Sequence, residues 1–248
     1  MSESYLHVTY MPVRGRCEPI FLMLVDSGVK FAKEFISLDK WIEMRGSGMV
    51  GPPRFPYSGL PVLRVGESEG QEGFVLGETT AILAFLDEYL QQGACKTMEM
   101  IRDASLYFLD RVFQMTIKED WLGPKNRNDV LQYITKPYLA GTESTLAIHA
   151  VSSRIIPSAS DQVSGTGAMV FTALLFILDL FPSLKSSFQQ GGDYQICGEL
   201  YRAISERPRV KSWYHDEKIM GMAWTVTNYG TAEWIASEAE KYDTKSEI

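Results

Sequence analysis

Residues 5–19, YLHVTYMPVRGRCEP, limit what this chain can fold into more than any other stretch. Residues 5–10 alternate and are rich in β-branched and aromatic side chains, the pattern of a short strand. Pro12 and Gly15 then break it. Pro19 suits the first turn of a helix, which residues 20–25 continue as an apolar run. The chain therefore opens strand, tight loop, helix. The loop carries a phenol, Tyr10, and two guanidiniums, Arg14 and Arg16, near the positive end of a helix. Such an end attracts anions, thiolates included. A tyrosine aimed there can hydrogen-bond a bound thiolate.

The rest of the first 92 residues keeps mixing strands and helices. Residues 16–27 read as the first helix, ended by Gly28. Residues 30–37 read as a second strand, and Asp39 as the cap of a short helix through Trp41 and Met44. A Gly- and Pro-rich loop follows over 45–59. Leu60-Pro61-Val62-Leu63 starts a third strand and Phe74-Val75-Leu76 a fourth, with an acidic turn between them. Glu78 or Thr79 should cap a helix bearing Ile82, Phe85, Leu86 and Tyr89 on one face. Residues 91–95 break the pattern as a linker, and everything after them reads as helix. Met98, Ile101, Ser105, Phe108, Val112 and Met115 form one stripe. A second long helix over 130–150 should be bent or delayed at Pro137 and Gly141. Residues 168–181 are apolar all round and should form the central core helix. Helices over 194–207 and 208–218 complete the pattern.

Composition narrows the function. A net charge of −7 argues against a nucleic-acid backbone as partner. No basic segment precedes an apolar run, so no signal peptide is expected. The longest apolar stretch, 168–178, is too short to span a bilayer. Cys17, Cys95 and Cys197 lie far apart without C-x-x-C or metal spacing. Reduced thiols in a cytoplasmic protein, with neither metal nor membrane, are the simplest expectation.

Tyr10-Met-Pro-Val-Arg-Gly-Arg16 with Glu18-Pro19 resembles the opening of the tyrosine-type cytosolic glutathione transferases, closest to the pi and sigma classes. Two further stretches carry the resemblance in the same order. Gly59-Leu-Pro-Val62 is similar to the family segment whose proline is cis and whose preceding residue, here Leu60, pairs its backbone with the cysteinyl part of glutathione. An extended tripeptide is held in this way like an added strand. Glu78-Thr-Thr-Ala-Ile-Leu-Ala-Phe-Leu86 is similar to the segment that binds the γ-glutamyl end. There an acid pairs with the α-amino group, and a hydroxyl with a helix N-terminus takes the α-carboxylate, roles that fall to Glu78 and Thr79. Trp41 stands where pi and sigma enzymes place a tryptophan on the glycyl carboxylate; packing under a loop is the other reading of it. The lysine usual six residues later is Ser47 here, leaving Arg45 or Arg54 as substitutes.

The resemblance implies a glutathione transferase fold: an α/β thioredoxin-like N-terminal domain over 1–92, then an all-α domain over 93–248 with an extended tail. It implies a homodimer with glutathione as co-substrate. It also implies a mechanism. Tyr10, with Arg16 and the helix end, would stabilise the thiolate as a donor rather than a base. A small hydrophobic electrophile would lie in an apolar pocket near Met11 and Val13, the wider role being detoxification. Glutathione-dependent isomerisation, as in the sigma class, and a non-catalytic binding or scaffold protein are the alternatives. Cys17, at a helix N-terminus where thiol acidity rises, reads as a redox-sensitive bystander. His7, His149 and His215 read as structural, with His7 pointing away from Tyr10.

Beyond residue 90 the likeness thins. Residues 158–167 keep Asp161 and Ser164 of the family's motif before the core helix. They put Gly167 where a capping acid is usual, removing half of a reciprocal cap worth about 1 kcal/mol. Met220, Met222, Trp224, Tyr229 and Trp234 form an aromatic tail that either covers the electrophile pocket or packs on the helical domain.

Overall fold

The computed structural model describes residues 5–66, 73–91, 96–116, 124–220 and 222–224. Strands β1 (Tyr5–Tyr10), β2 (Phe31–Phe35), β3 (Val62–Gly66) and β4 (Phe74–Gly77) form one sheet in the order β2-β1-β3-β4. β1 pairs parallel with β2 and antiparallel with β3, and β3 pairs antiparallel with β4. This is the thioredoxin-like sheet the resemblance implies.

The parallel β1–β2 pair needs a crossover, supplied by a 3-10 turn (Gly15–Cys17) and helix α1 (Glu18–Ser27). Pro19 sits in the first turn of α1. Gly28, at φ 72°, donates its N–H to the carbonyls of Leu24 and Val25. A Cβ there would run into the Arg209 guanidinium. Helix α2 (Leu38–Gly46) is capped by Ser37, whose hydroxyl accepts the Lys40 N–H. Asp39, the expected cap, lies inside the first turn instead, because the helix begins one residue before it.

Alternation decides which residues meet. Leu6, Val8 and Tyr10 of β1 point toward α1 and α3 (Thr79–Tyr89), joining the main core with Ile20, Leu24, Ile82 and Leu86. The opposite face carries Val62, which packs with Ile36, Trp41, Met44 and Phe55 in a smaller cluster under α2. His7 lies on that opposite face, stacked on Tyr5.

The helical part is built around α8 (Gly165–Leu180), in which every residue but Leu175 and Asp179 is buried. Each large apolar side chain removed from water there contributes roughly 1.5–3 kcal/mol. Leu174→Ala would cost about 2–5 kcal/mol. Against α8 lies α4 (Lys96–Thr116), whose stripe Met98, Ile101, Phe108 and Val112 is buried inside this chain. Helix α5 (Pro124–Tyr133) starts earlier than its apolar pattern suggests. It runs through a π-helical turn (Ile134–Leu139) into α6 (Ala140–Leu146). Pro137 has no N–H to give, and the widened turn carries the chain past it, Ala140 N–H reaching Thr135 O. Helices α7 (His149–Ile155), α9 (Gln195–Ser205), α10 (Pro208–Tyr214) and α11 (Glu217–Met220) complete the layer.

The missing acid at Gly167 is explained by packing. Ser164 is still the N-cap of α8, its hydroxyl accepting Gly167 N–H at 3.1 Å. A Cβ on Gly167 would lie 2.9 Å from the Ile155 carbonyl, so α7 occupies the space of an acidic side chain. The helix end is met from α3: Asp87 Oδ1 accepts Gly165 N–H at 2.7 Å, and Gly165 has no side chain to hold α3 off. No described helix is long and apolar enough to cross a membrane.

Candidate functional site

The sheet register gathers the sequence-named residues at one end. Thr9 pairs with Val62, and Val62 with Gly77. The next residues out are Tyr10, Pro61 and Glu78, so three stretches far apart in sequence end side by side. The Leu60–Pro61 peptide is cis. Leu60 and Met11 are half-buried and pack against both apolar clusters.

Tyr10 is 8 % exposed. Its hydroxyl accepts the Arg16 backbone N–H at 3.1 Å, leaving its own proton for an acceptor beyond. Burial, reinforced by Cys17, pushes the phenol up, against the opposing Arg16 N–H and charge. It therefore stays protonated at neutral pH and keeps a proton it can donate. Gly15, at φ 37°, makes the close turn possible. A Cβ on it would sit 2.8 Å from the Tyr10 hydroxyl.

Thr79 joins the third stretch to the first: its hydroxyl donates to the Arg16 carbonyl at 3.3 Å. Neither Glu78 nor Thr79 caps α3 with a side chain. Glu78 occupies the N-cap position at φ 66°, ψ 123°, with its side chain exposed. Such a conformation costs a non-glycine residue of order 1–3 kcal/mol. The start of α3 thus carries no side-chain cap and lies beside the Glu78 acid and, through Thr79 and Arg16, the Tyr10 turn, an arrangement able to hold a carboxylate and an ammonium together.

The two arginines of the loop part company. Arg16 stays at the surface, its Nε donating to Asp110 on α4 at 2.8 Å. Arg14 turns inward and is 2 % exposed. It pairs with Glu18 at 2.9 Å, approaches Asp179 at 3.6 Å, and lies against the Tyr214 and Trp224 rings. Burial opposes its charge, but Glu18, Tyr214 and Asp179 outweigh burial. Arg14 is thus a structural cation, not one facing a ligand. Its spacing to Glu18 is visible in the sequence; Asp110, Asp179 and Trp224 carry no local signal.

Val13 is buried, its N–H on the Met11 carbonyl. Trp41 lies in the smaller cluster, edge-on to Phe55 at 5.2 Å, on the face of the sheet away from Tyr10. Arg54 is engaged with Glu34 at 2.9 Å. Cys17 is fully buried, and desolvation followed by Glu18 pushes its thiol well up. This overturns the redox-sensitive reading, since burial outweighs the helix end. Of the tail, Trp224 packs on Phe176 and Arg14 beside the Tyr10 turn, while Tyr229 and Trp234 lie outside the described residues. Among the described residues no group of three or more His, Cys, Asp and Glu side chains is placed to hold a metal.

The chain is similar to known proteins over most of its length. It is 26 % identical over 204 residues to a glutathione S-transferase of Dirofilaria immitis, covering 75 % of this chain and 86 % of that one. It is 24 % identical over 220 residues to glutathione S-transferase P 2 of Bufo bufo, covering 85 % and 92 %. Its fold matches the pi-class glutathione S-transferase of Onchocerca volvulus with a TM-score of 0.61 at 20 % identity, covering 91 % and 98 %. A scan against models of protein families finds no match. The resemblance read from the sequence stands, and the fold is the glutathione transferase fold.

Proposed function

We propose that this chain is a glutathione transferase that holds the glutathione thiol as a thiolate and joins it to a small hydrophobic electrophile. The observation that carries the reading is the convergence of Tyr10, Pro61, Glu78 and Thr79 at one end of the sheet. Residues 1–92 bind the tripeptide. Leu60 pairs with its backbone, Glu78 takes the ammonium, and Thr79 with the α3 end takes the γ-glutamyl carboxylate. Tyr10 donates its proton to the sulfur, and Arg16 orients Tyr10 through its backbone N–H.

A free thiol titrates near 8.5, so only a few per cent is ionised at neutral pH. Lowering that value by about two units takes roughly 2.7 kcal/mol, within reach of one charge-assisted bond and a helix end. The thiolate attacks an electrophilic carbon beside Met11 and Val13. A sulfur–carbon bond forms, and the leaving group departs with its electron pair. Residues 93–248 supply the far wall of the pocket. Detoxification in the cytoplasm fits this chemistry. Exposed apolar side chains at Tyr57, Phe74, Met100 and Tyr107 support a homodimer, which sedimentation would test.

The deciding experiment is a calorimetric titration with glutathione beside Glu78→Ala. Saturable binding that weakens in the variant is expected, with a stable thioether among the products. Glutathione recovered unchanged beside a rearranged substrate would mean isomerisation. No binding at millimolar glutathione would make the chain a scaffold that kept the fold.

A further inference from the structure

The far end of the described chain is fastened to the Tyr10 turn through Trp224. Its indole lies over the Arg14 guanidinium, 4.1 Å from the ring centroid. Its Nε1–H donates to Asp179 of α8 at 2.9 Å, and its ring packs on Phe176 of the same helix at 4.8 Å. Ala223, just before it, accepts the Arg14 backbone N–H at 2.9 Å. The Trp224 carbonyl would lie 3.0 Å from a Cβ on Gly15, the point that is 2.8 Å from the Tyr10 hydroxyl. Trp224 itself is 1 % exposed.

These contacts leave Arg14 no freedom. Its Nη2 is held by Glu18, and the same Glu18 oxygen accepts the Tyr214 hydroxyl at 2.6 Å. Arg14, Gly15 and Arg16 are consecutive, so whatever holds Arg14 holds the N–H on which the Tyr10 hydroxyl rests. A donor aimed at a bound anion loses its effect when displaced by more than about 0.5 Å.

We propose that Trp224 is a positioning residue of the thiol site, clamping Arg14 to α8 and so fixing Arg16 N–H and the Tyr10 hydroxyl relative to the glutathione sulfur. The inference rests on the glutathione reading above. The charged and titratable groups near the hydroxyl are Arg16 and Cys17 of the turn and Asp110 of α4. Those around Arg14 are Glu18 of α1, Asp179 of α8, Tyr201 of α9 and Tyr214 of α10. Trp224 is uncharged. Replacing it removes none of these groups but takes away the hydrogen bond that lowers the Asp179 carboxyl, so Asp179→Asn is measured beside it: a bound thiol that titrates there as in the wild type leaves the Trp224→Leu shift to geometry.

The test uses the full chain, with Trp224→Leu and Trp224→Phe. The ultraviolet thiolate band of bound glutathione is followed against pH, with calorimetric affinity and a thermal melt for each protein. In the wild type the bound thiol titrates below the free value. In Trp224→Leu it moves up by about one pH unit, from roughly 6.5 to roughly 7.5 on the lowering proposed above, which cuts the thiolate fraction at pH 7 about threefold. Affinity falls less than about threefold, and kcat drops with KM nearly unchanged. Trp224→Phe keeps a ring over the guanidinium but loses the bond to Asp179, and moves about half as far. A folded Trp224→Leu protein whose bound thiol titrates as in the wild type overturns the proposal. If that variant does not fold, Trp224→Phe decides alone: a shift supports the clamp and no shift overturns it. A wild type that binds glutathione without acidifying its thiol also overturns the clamp while leaving the binding reading intact. A wild type that binds no glutathione refutes the reading beneath it.

Discussion

Replacing Asp87 tests how the two halves of the fold are joined. Its carboxylate is 3 % exposed, accepts Gly165 N–H at 2.7 Å, and lies 3.8 Å from the Arg102 guanidinium, itself 7 % exposed. Asp87→Ala leaves an orphaned N–H at the start of the core helix and a buried cation with only the exposed Asp103 carboxylate at 3.9 Å. Losing one partner of a buried pair costs about 3–5 kcal/mol. The lower end applies here, because 3.8 Å is too long for a hydrogen bond and the carboxyl is raised from its ordinary value. That rise is caused by burial, against the opposing Gly165 bond and Arg102. An expected loss of about 3 kcal/mol is a drop of roughly 6–12 °C in Tm for a chain of this size. Asp87→Asn keeps an acceptor for Gly165 but, like alanine, removes the carboxylate beside Arg102. It should cost about 1–2 kcal/mol, less than alanine, because the Gly165 bond survives.

The sign of the pH dependence follows from the same carboxyl. With its folded pKa above its unfolded one, the folded state binds more protons between the two values. Its contribution to stability is then full at low pH and is lost as pH rises through the folded value. Asp87→Asn removes that component, so its stability should vary less with pH across this window. Urea unfolding at a series of pH values measures both effects. If Asn is as damaging as Ala, the charge and not the acceptor holds the joint. If Ala stays within about 0.5 kcal/mol of the wild type, the account of the α8 cap is wrong.

Tyr10→Phe should lower kcat/KM toward an activated aryl chloride by roughly 10–150-fold, the worth of one hydrogen bond to a charged group, while calorimetry still shows glutathione binding. Gly15→Ala forces a methyl against the Tyr10 hydroxyl at positive φ; activity should fall with Tyr10→Phe, and urea unfolding should show a loss of about 1–3 kcal/mol. Gly167→Asp restores the residue usual in the family yet should destabilise by about 1–3 kcal/mol, because α7 fills the space it needs. Cys17 and Cys197 are buried with thiols pushed up, so peptide mapping after alkylation at pH 7 should find both unmodified until the chain is denatured.

Local pattern in the chain carries the element order through β3–β4 and the core role of α8, and it picks out Tyr10, Pro61, Glu78 and Thr79, the residues proposed for the site. Those are matters of period, breakers and local motif, and they depend on neighbours in the chain. Tertiary structure decided what each polar group faces. Arg14 and Arg16 are two residues apart and chemically identical, yet one is buried by Trp224, Tyr214 and Glu18 while the other reaches Asp110. Cys17 sits at a helix end that should acidify it, and burial reverses the outcome. The free N–H of Gly165 at the start of α8 is met by Asp87, 78 residues away in the chain. A side chain's dielectric surroundings and hydrogen-bond partners come from segments brought close only by packing, so no local pattern encodes them.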